Sequence, residues 1–177
     1  QNADTIIFNT MMAFYTACST FIGQNYGAGK RDRAIKSYLI TTLYAFLFGL
    51  ALGAFLFFKG DLFLAMFDTD PEVIAAGMQK LKIMGFSFCV SAFMDNSIAA
   101  SRGIGKSLVP TIVVILGSCV FRVVWIYTVF AHYETITSLF LLYPVSWIIT
   151  GIAETIYFFA SYAALKKRKL PDTQPQN

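Results

Sequence analysis

The sequence predicts an all-α polytopic membrane protein with five transmembrane helices, and three observations support this prediction. Hydrophobic residues make up 56% of the 177 residues and charged residues only 14%, with a mean hydropathy of +0.61. This composition leaves too little polar surface to coat a water-soluble globule. Five long stretches carry at most one charge each, and about 18 largely apolar residues suffice to cross a bilayer. The basic residues, finally, are grouped between these stretches rather than spread along them.

The five predicted spans follow from the positions of the charges. Residues 5–29 and 37–58 carry no charged side chain. The three later stretches, 83–101, 107–131 and 135–165, carry one each, which is Asp95, Arg122 and Glu154 in turn. The predicted transmembrane region is therefore 1–165, followed by a polar tail at 166–177. Its spans are 4–24, 37–58, 73–101, 108–130 and 137–164.

Local signals support two of these helices. The start of the third helix is predicted by an Asp or Thr cap, a Pro near the first turn and a Glu just inside, in the stretch Asp68, Thr69, Asp70, Pro71 and Glu72. Ala45, Gly49 and Gly53 recur at helical spacing in the second span. Such a ridge of small residues lets a neighbouring helix approach closely, so we interpret it as a packing surface.

The basic residues predict the orientation in the membrane. Five spans threaded back and forth place all three basic groups on one side, which is cytoplasmic by the positive-inside rule. We therefore expect a multi-pass protein of the plasma membrane, with its N-terminus outside and its tail in the cytoplasm. The chain begins without Met and without a basic region typical of a signal peptide, so we expect it to be cut from a longer protein. The groups are Lys30, Arg31, Arg33 and Lys36 after span one, Arg102 and Lys106 after span three, and residues 166–169 after span five.

Several other classes lack support in the sequence. Cys18, Cys89 and Cys119 lie in apolar spans without metal-ligand spacing, so we expect neither a disulfide nor a metal site. The single His132 lies in an outer loop, and no nucleophile and base pair is evident, so we expect no enzyme and no catalytic residue. The net charge of +4 forms no basic stripe, which argues against nucleic acid as a partner.

Two glycine-rich loops carry a family resemblance. The first lies at residues 23–33 and resembles the G-Q-N-x-G-A-G-x-x-x-R signature of the MATE (multidrug and toxin extrusion) transporters. It lacks the G-K-[ST] ending of a phosphate-binding loop. The second begins at residue 102 and resembles the R-G-x-G-x-[ST] loop of the same family, which precedes a helix with an internal Arg, here Arg122. The signature residues are Gly23, Gln24, Asn25, Gly27 and Gly29 in the first loop, and Arg102, Gly103 and Gly105 in the second.

The resemblance implies a fold and a function. MATE transporters have twelve helices in two lobes around a central cavity, and this chain resembles helices eight to twelve. The N-terminal lobe of the same polypeptide would then be its partner, along with the lipid bilayer. The family exports drugs and metabolites, mostly small organic cations, in exchange for Na⁺ or H⁺, so no cofactor beyond the coupling ion is expected.

The ionisable residues inside the spans are the candidate functional residues, because a charge in the bilayer centre is costly. At 1.5 Å per residue, Asp95 and Glu154 lie about 13 Å and about 18 Å from the cytoplasmic end. Two carboxylates at similar depth could face one interior space and share a proton or a cation. Arg122 lies about 27 Å from that end, which predicts an anchoring or packing role and no ion pair with Asp95. The alternative is that both acids only form hydrogen bonds between helices.

The coupling residue is not fixed by the resemblance. Some family members carry an acid at the position of Asp95, whereas others carry theirs about one turn earlier, where this chain has Ser91. No family motif covers Glu154. Two other functions stay open: a lipid-linked saccharide flippase of the same superfamily, and a structural membrane subunit that does not transport.

Overall fold

The computed structural model describes residues 2–167 and the side chains of residues 5–165. Six long helices make up nearly all of this region, and it contains no strand. Residues 168–177, most of the predicted polar tail, lie outside the described residues. The helices are α1 (Asn2–Gly27), α2 (Arg31–Ala65), α3 (Pro71–Met84), α4 (Ser87–Gly103), α5 (Leu108–Tyr133) and α6 (Ile136–Lys167).

The predicted fold class is confirmed. Helices α1, α2, α5 and α6 are each long and apolar enough to cross a membrane. Helices α3 and α4 together pass the same test, although they meet at an angle of 57°. The chain is therefore a multi-pass membrane protein with four spans, or five when the bent pair counts as one.

The helices extend beyond the predicted spans at most of their ends, and the predicted third span, 73–101, is broken. The break follows Met84 and falls at Gly85 and Phe86. The predicted start of α3 is confirmed: Pro71 is its first residue, and the Asp70 carboxylate accepts a hydrogen bond from the backbone N–H of Glu72 at 2.9 Å.

The small-residue ridge of α2 explains where the break lies. A Cβ on Gly53 would collide with the backbone of Gly85, and a Cβ on Gly49 would lie 3.0 Å from the Cα of Cys89. Helix α2 therefore contacts the bend between α3 and α4 backbone to backbone. The predicted packing role of this ridge is confirmed.

Helix α4 is the centre of the bundle and packs against α1, α2 and α6. The end of α4 joins the end of α1, the start of α2 and the end of α6 in one buried apolar cluster that includes Ile22, Tyr38, Ala99 and Phe158. This cluster marks one end of the molecule, called here the signature end. Both glycine-rich loops lie there.

Helix α5 is the most peripheral span. Its 18-residue apolar window contains no buried residue, and its main neighbour is α6. Two π-helical stretches, Ile115–Val120 and Ile126–Phe130, interrupt its α-helical geometry. Helix α5 contacts α6 closely at Gly117, where an added Cβ would collide with the Thr150 hydroxyl of α6. Single-turn π segments inside α-helices are often found at functional sites.

Candidate functional site

A cavity of about 340 Å³ lies among α1, α3, α4, α5 and α6. It brings together charged side chains from different helices, whereas three other cavities among the described residues are lined mostly by apolar side chains or by the loop at Gly29 to Arg33. Most of its wall is aromatic or Met, which suits an amphipathic organic molecule. Its lining residues are Phe8, Met11, Lys80, Met84, Phe88, Ser91, Met94, Asp95, Arg122, Tyr143 and Trp147.

Asp95 supplies the only carboxylate of this lining. It lies in the middle of α4, which is held in place by neighbours on three sides. Ser91, one helical turn before it, also lines the cavity, and its hydroxyl donates to the Phe88 carbonyl at 3.0 Å. Two positions one helical turn apart on α4 therefore face the same space, and only the later one carries a charge.

Arg122 reaches the same cavity from α5. Its Nε donates to the Ser146 hydroxyl at 3.2 Å, and its guanidinium lies 4.5 Å from the ring centre of Tyr143. The side chain thus packs α5 against α6, as predicted, but it does so at the cavity wall rather than at the outer interface. No ion pair joins it to Asp95 within the described residues.

The depth estimate for Arg122 and Asp95 needs correction. Counting residues along a helix converts to depth only if the helix runs parallel to the membrane normal. Helices α3 and α4 meet at 57°, so at least one of them is strongly inclined. Two residues that count as about 14 Å apart in depth can therefore line one cavity.

The structure does not bring Glu154 and Asp95 together. Glu154 is absent from the cavity lining and is completely buried, with 0% of its surface exposed. Both of its carboxylate oxygens lack a hydrogen-bond partner among the described residues. Of the two acids, only Asp95 therefore lines this cavity.

A polar network that was not predicted connects three helices. The Ser97 hydroxyl lies 3.0 Å from the Tyr38 hydroxyl of α2 and 2.9 Å from the Thr155 hydroxyl of α6. Ser97 is fully buried, so this network satisfies polar groups that lipid could not. The signal in the sequence was the polar run Asp95, Asn96 and Ser97, for which hydrogen bonding to a neighbouring helix was one of the two alternatives.

The two signature loops meet at the signature end. A Cβ on Gly103 would lie 2.9 Å from the Ser19 carbonyl of α1, and one on Gly23 would lie 3.4 Å from the Gly103 carbonyl. Glycine at these two positions lets α1 and α4 approach backbone to backbone. One glycine in each signature therefore serves the same helix contact.

The remaining signature residues shape the turns. Gly29 and Gly105 have positive φ angles of 71° and 78°, which favour glycine. The Asn25 side chain caps its own helix by donating to the Phe21 carbonyl at 2.8 Å, and the backbone N–H of Lys30 donates to the Asn25 carbonyl at 2.8 Å. Gln24 is exposed, and the Arg102 guanidinium lies 6.0 Å from the ring centre of Tyr15.

No group of three or more His, Cys, Asp or Glu side chains that could hold a metal ion occurs in the described part of the chain. The thiol of Cys18 instead donates weakly to the Asn96 carbonyl at 3.5 Å.

Curated proteins with similar sequences are multidrug transporters. The chain is 23% identical over 112 residues to the probable multidrug resistance protein NorM of Thermotoga maritima, a match that covers 63% of this chain and 24% of that protein. It is 30% identical over 112 residues to multidrug and toxin extrusion protein 1 of Homo sapiens, covering 63% of this chain and 20% of that protein. The matched region thus spans about a quarter or less of these relatives.

Solved structures show the same fold. An outward-facing MATE family transporter of the MOP superfamily superimposes with a TM-score of 0.82 at 21% identity, covering 94% of this chain and 38% of that chain. An inward-facing one gives a TM-score of 0.77 at 19% identity and covers 95% of this chain and 41% of that chain. A MOP superfamily transporter from Pyrococcus furiosus, described as having a binding pocket of reversed polarity, gives 0.78 at 22% identity and covers 89% and 36%.

The model of the MatE family matches residues 1–128, which is most of the chain. Members of this family are transporters rather than enzymes. The match includes both glycine-rich loops and four of the five helices that line the cavity. The chain therefore belongs to the MatE family.

Proposed function

We propose that this chain is part of a secondary active efflux transporter that exchanges drugs or metabolites for Na⁺ or H⁺. It corresponds in this proposal to helices eight to twelve, and a preceding lobe of the same polypeptide completes the transport pathway. Both the inward-facing and the outward-facing transporters share its fold, which supports a lobe that moves largely as a rigid body. The protein lies in the plasma membrane with its C-terminus in the cytoplasm.

The cavity carboxylate is the observation on which this proposal depends. Asp95 sits partly buried on a wall that is otherwise mostly apolar, where a counter-charge is most valuable. An incoming proton, Na⁺ or organic cation would neutralise it, and these ligands would compete for the same carboxylate. Competition for one site is the simplest way to exchange an ion for a substrate.

Efflux from proteoliposomes tests this role with Asp95→Asn in the full-length transporter that contains this chain. A cationic dye is exported under a pH gradient and, separately, under a Na⁺ gradient. We expect wild type to respond to at least one gradient and the variant to lose at least tenfold of the driven rate, because Asn cannot exchange a charge. Asp61→Asn, at an exposed position on the end opposite the signature end, is the matched control and should retain the wild-type rate.

A second candidate function follows from the basic residues of the same cavity. Lys80 and Arg122 both line it, so this lobe supplies two positive charges and one negative charge to the space. Such a wall favours an anionic or zwitterionic molecule over a simple organic cation. A lipid-linked saccharide, whose phosphates are anionic, would suit it, and we propose flipping of such a lipid as the alternative.

Substrate charge separates the two candidates. If the cavity selects cations, Arg122→Gln should improve transport of a cationic dye, because it removes a repulsive charge. If it selects anions, the same variant should weaken transport of an anionic dye or a phospholipid-linked sugar by at least tenfold and leave cation transport slow. A wild type that moves neither class under any gradient would favour a structural subunit instead.

A further inference from the structure

A polar stripe runs along the buried face of α6. Its members are Ser146, Thr150 and Glu154, which follow each other at intervals of four residues and therefore lie on one face. Each is at most 1% exposed. The stripe is about 12 Å long at 1.5 Å per residue.

One end of the stripe touches the cavity. The Ser146 hydroxyl accepts a hydrogen bond from Arg122 Nε and donates to the Tyr143 carbonyl at 3.1 Å. Both Arg122 and Tyr143 line the cavity. Ser146 is therefore linked through a single hydrogen bond to a charged group of the transport pathway.

The other end is electrostatically incomplete. Both oxygens of the Glu154 carboxylate and the Thr150 hydroxyl lack a hydrogen-bond partner within the described residues. Burying an ionised carboxylate without a partner is very costly. An ionised carboxylate can only accept hydrogen bonds, whereas a protonated one also donates. A proton on Glu154 would remove the charge and supply a donor for the Thr150 oxygen one turn away.

No cation named below pairs directly with the Glu154 carboxylate, so a proton can neutralise it. Arg102, at the end of α4, is the cation whose charge reaches Glu154, but it is exposed at the signature end. Arg122 on α5 is engaged by Ser146, and Asp95 faces the cavity. From α2, the ring of Tyr38 packs against Phe158, one helical turn after Glu154, with 4.7 Å between the ring centres. A sodium ion would need more oxygen ligands than one carboxylate and one hydroxyl provide.

We propose that Glu154 is a proton-binding site, separate from Asp95, at the end of the stripe that lies away from the cavity. A proton on Glu154 would also affect how α6 packs against α5. Thr150 contacts Gly117 within the first π-helical stretch, so a hydrogen bond made or lost at Thr150 acts on the interface between α5 and α6. A role for this proton in transport rests on the proposed ion coupling. Proton binding by Glu154 itself does not depend on it.

Infrared difference spectroscopy tests proton binding without transport. The full-length transporter, reconstituted in lipid nanodiscs, is titrated from alkaline to acidic pH, and the C=O stretch of protonated carboxylic acids is recorded in H₂O and D₂O. We expect a band that disappears in Glu154→Gln and persists in Asp95→Asn. In Thr150→Val the same band should move to higher frequency, because the carboxyl loses its hydrogen-bond partner.

Three outcomes would overturn the proposal. The first is a Glu154→Gln spectrum identical to that of wild type, which would mean that Glu154 does not titrate. The second is a Glu154 band that Na⁺ abolishes at constant pH, which would make sodium the ligand. The third is an unchanged band in Thr150→Val. If Glu154→Gln does not fold, Glu154→Asp keeps a carboxyl and should retain a band at a shifted frequency.

Failure of this inference and failure of the proposed function are distinguishable. The Glu154 band reports protonation whether or not the protein transports anything. A wild type that shows dye efflux but no band assignable to Glu154 would reject the second proton site alone, whereas a wild type that shows the band but no efflux would reject the transport function.

Discussion

At the residue scale, the glycines of the two signatures differ in what they do, and the difference can be tested. Gly103 faces the Ser19 carbonyl and the Ile22 side chain, with an added Cβ 2.9 Å and 3.0 Å away. Gly27 has no atom within 4 Å of an added Cβ and no positive φ angle. Replacement by Ala therefore causes a steric clash at Gly103 but not at Gly27.

We expect Gly103→Ala to destabilise the protein by about 1–3 kcal/mol, as overpacking of a close contact does. Gly27→Ala should change the stability by less than about 0.5 kcal/mol, as surface substitutions usually do. Thermal unfolding of the two purified variants in detergent measures both effects. Equal melting temperatures for the two variants would contradict the helix contact between α1 and α4.

The sequence predicted where the spans and turns lie, but it did not predict which side chains from different helices come together. The stretches with at most one charge located the spans but not the break within the third, and the glycine signatures located a turn at each of two helix ends. Whether Asp95 shares a site with Glu154 or with Arg122 depended on the inclination of α4 and on the face from which each side chain leaves its helix. Neither quantity is encoded in the spacing of charges. The sequence analysis therefore did not predict that Asp95 lines a cavity together with Arg122 rather than with Glu154.

At the element scale, the break between α3 and α4 is fixed from outside by α2. Gly53 lies against the Gly85 backbone without an intervening side chain, and Gly85 is the residue at which α3 ends. The small-residue ridge was visible in the sequence, but no Pro or Gly–Gly pair marked the partner helix for a bend. The bend is therefore a product of two helices and could not be predicted from either one.

Adding volume to α2 tests this dependence. Gly53→Ala should push α2 away from the bend and destabilise the protein by about 1–3 kcal/mol, because the opposing atoms are backbone and cannot rotate away. Ala51→Leu adds more volume to the same helix at an exposed position and should be tolerated. Thermal unfolding together with dye efflux would show the effect on stability and on the cavity wall, to which α3 and α4 contribute Met84 and Asp95.

A melting temperature for Gly53→Ala equal to that of wild type would show that α2 does not constrain the bend. Destabilisation by Ala51→Leu of similar size would indicate that α2 is covered on its outer face as well.

At the scale of the whole molecule, the basic and acidic residues lie at opposite ends of the helix bundle. The signature end gathers the ends of α1, α4 and α6 and the start of α2, and the Tyr162 hydroxyl of α6 donates to the Arg31 carbonyl there at 2.7 Å. The basic groups around Lys30, Arg102 and Lys106 lie at this end, whereas Asp61, Asp68, Asp70, Glu72 and Glu134 lie at or near the opposite one. From the positive-inside rule we propose that the signature end faces the cytoplasm.

Cysteine accessibility in intact cells tests this orientation. In a background with Cys18, Cys89 and Cys119 replaced by Ala, we introduce Ala28→Cys in the loop before α2 or Thr69→Cys in the loop before α3, both at exposed positions. A membrane-impermeant maleimide should label Thr69→Cys in intact cells and Ala28→Cys only after permeabilisation. The cysteine-free background is the control for non-specific labelling. The reverse pattern would place the signature end outside and reject the cytoplasmic C-terminus. The first loop and the end of α6 lie on the same side because α2, the pair of α3 and α4, α5 and α6 make an even number of crossings between them.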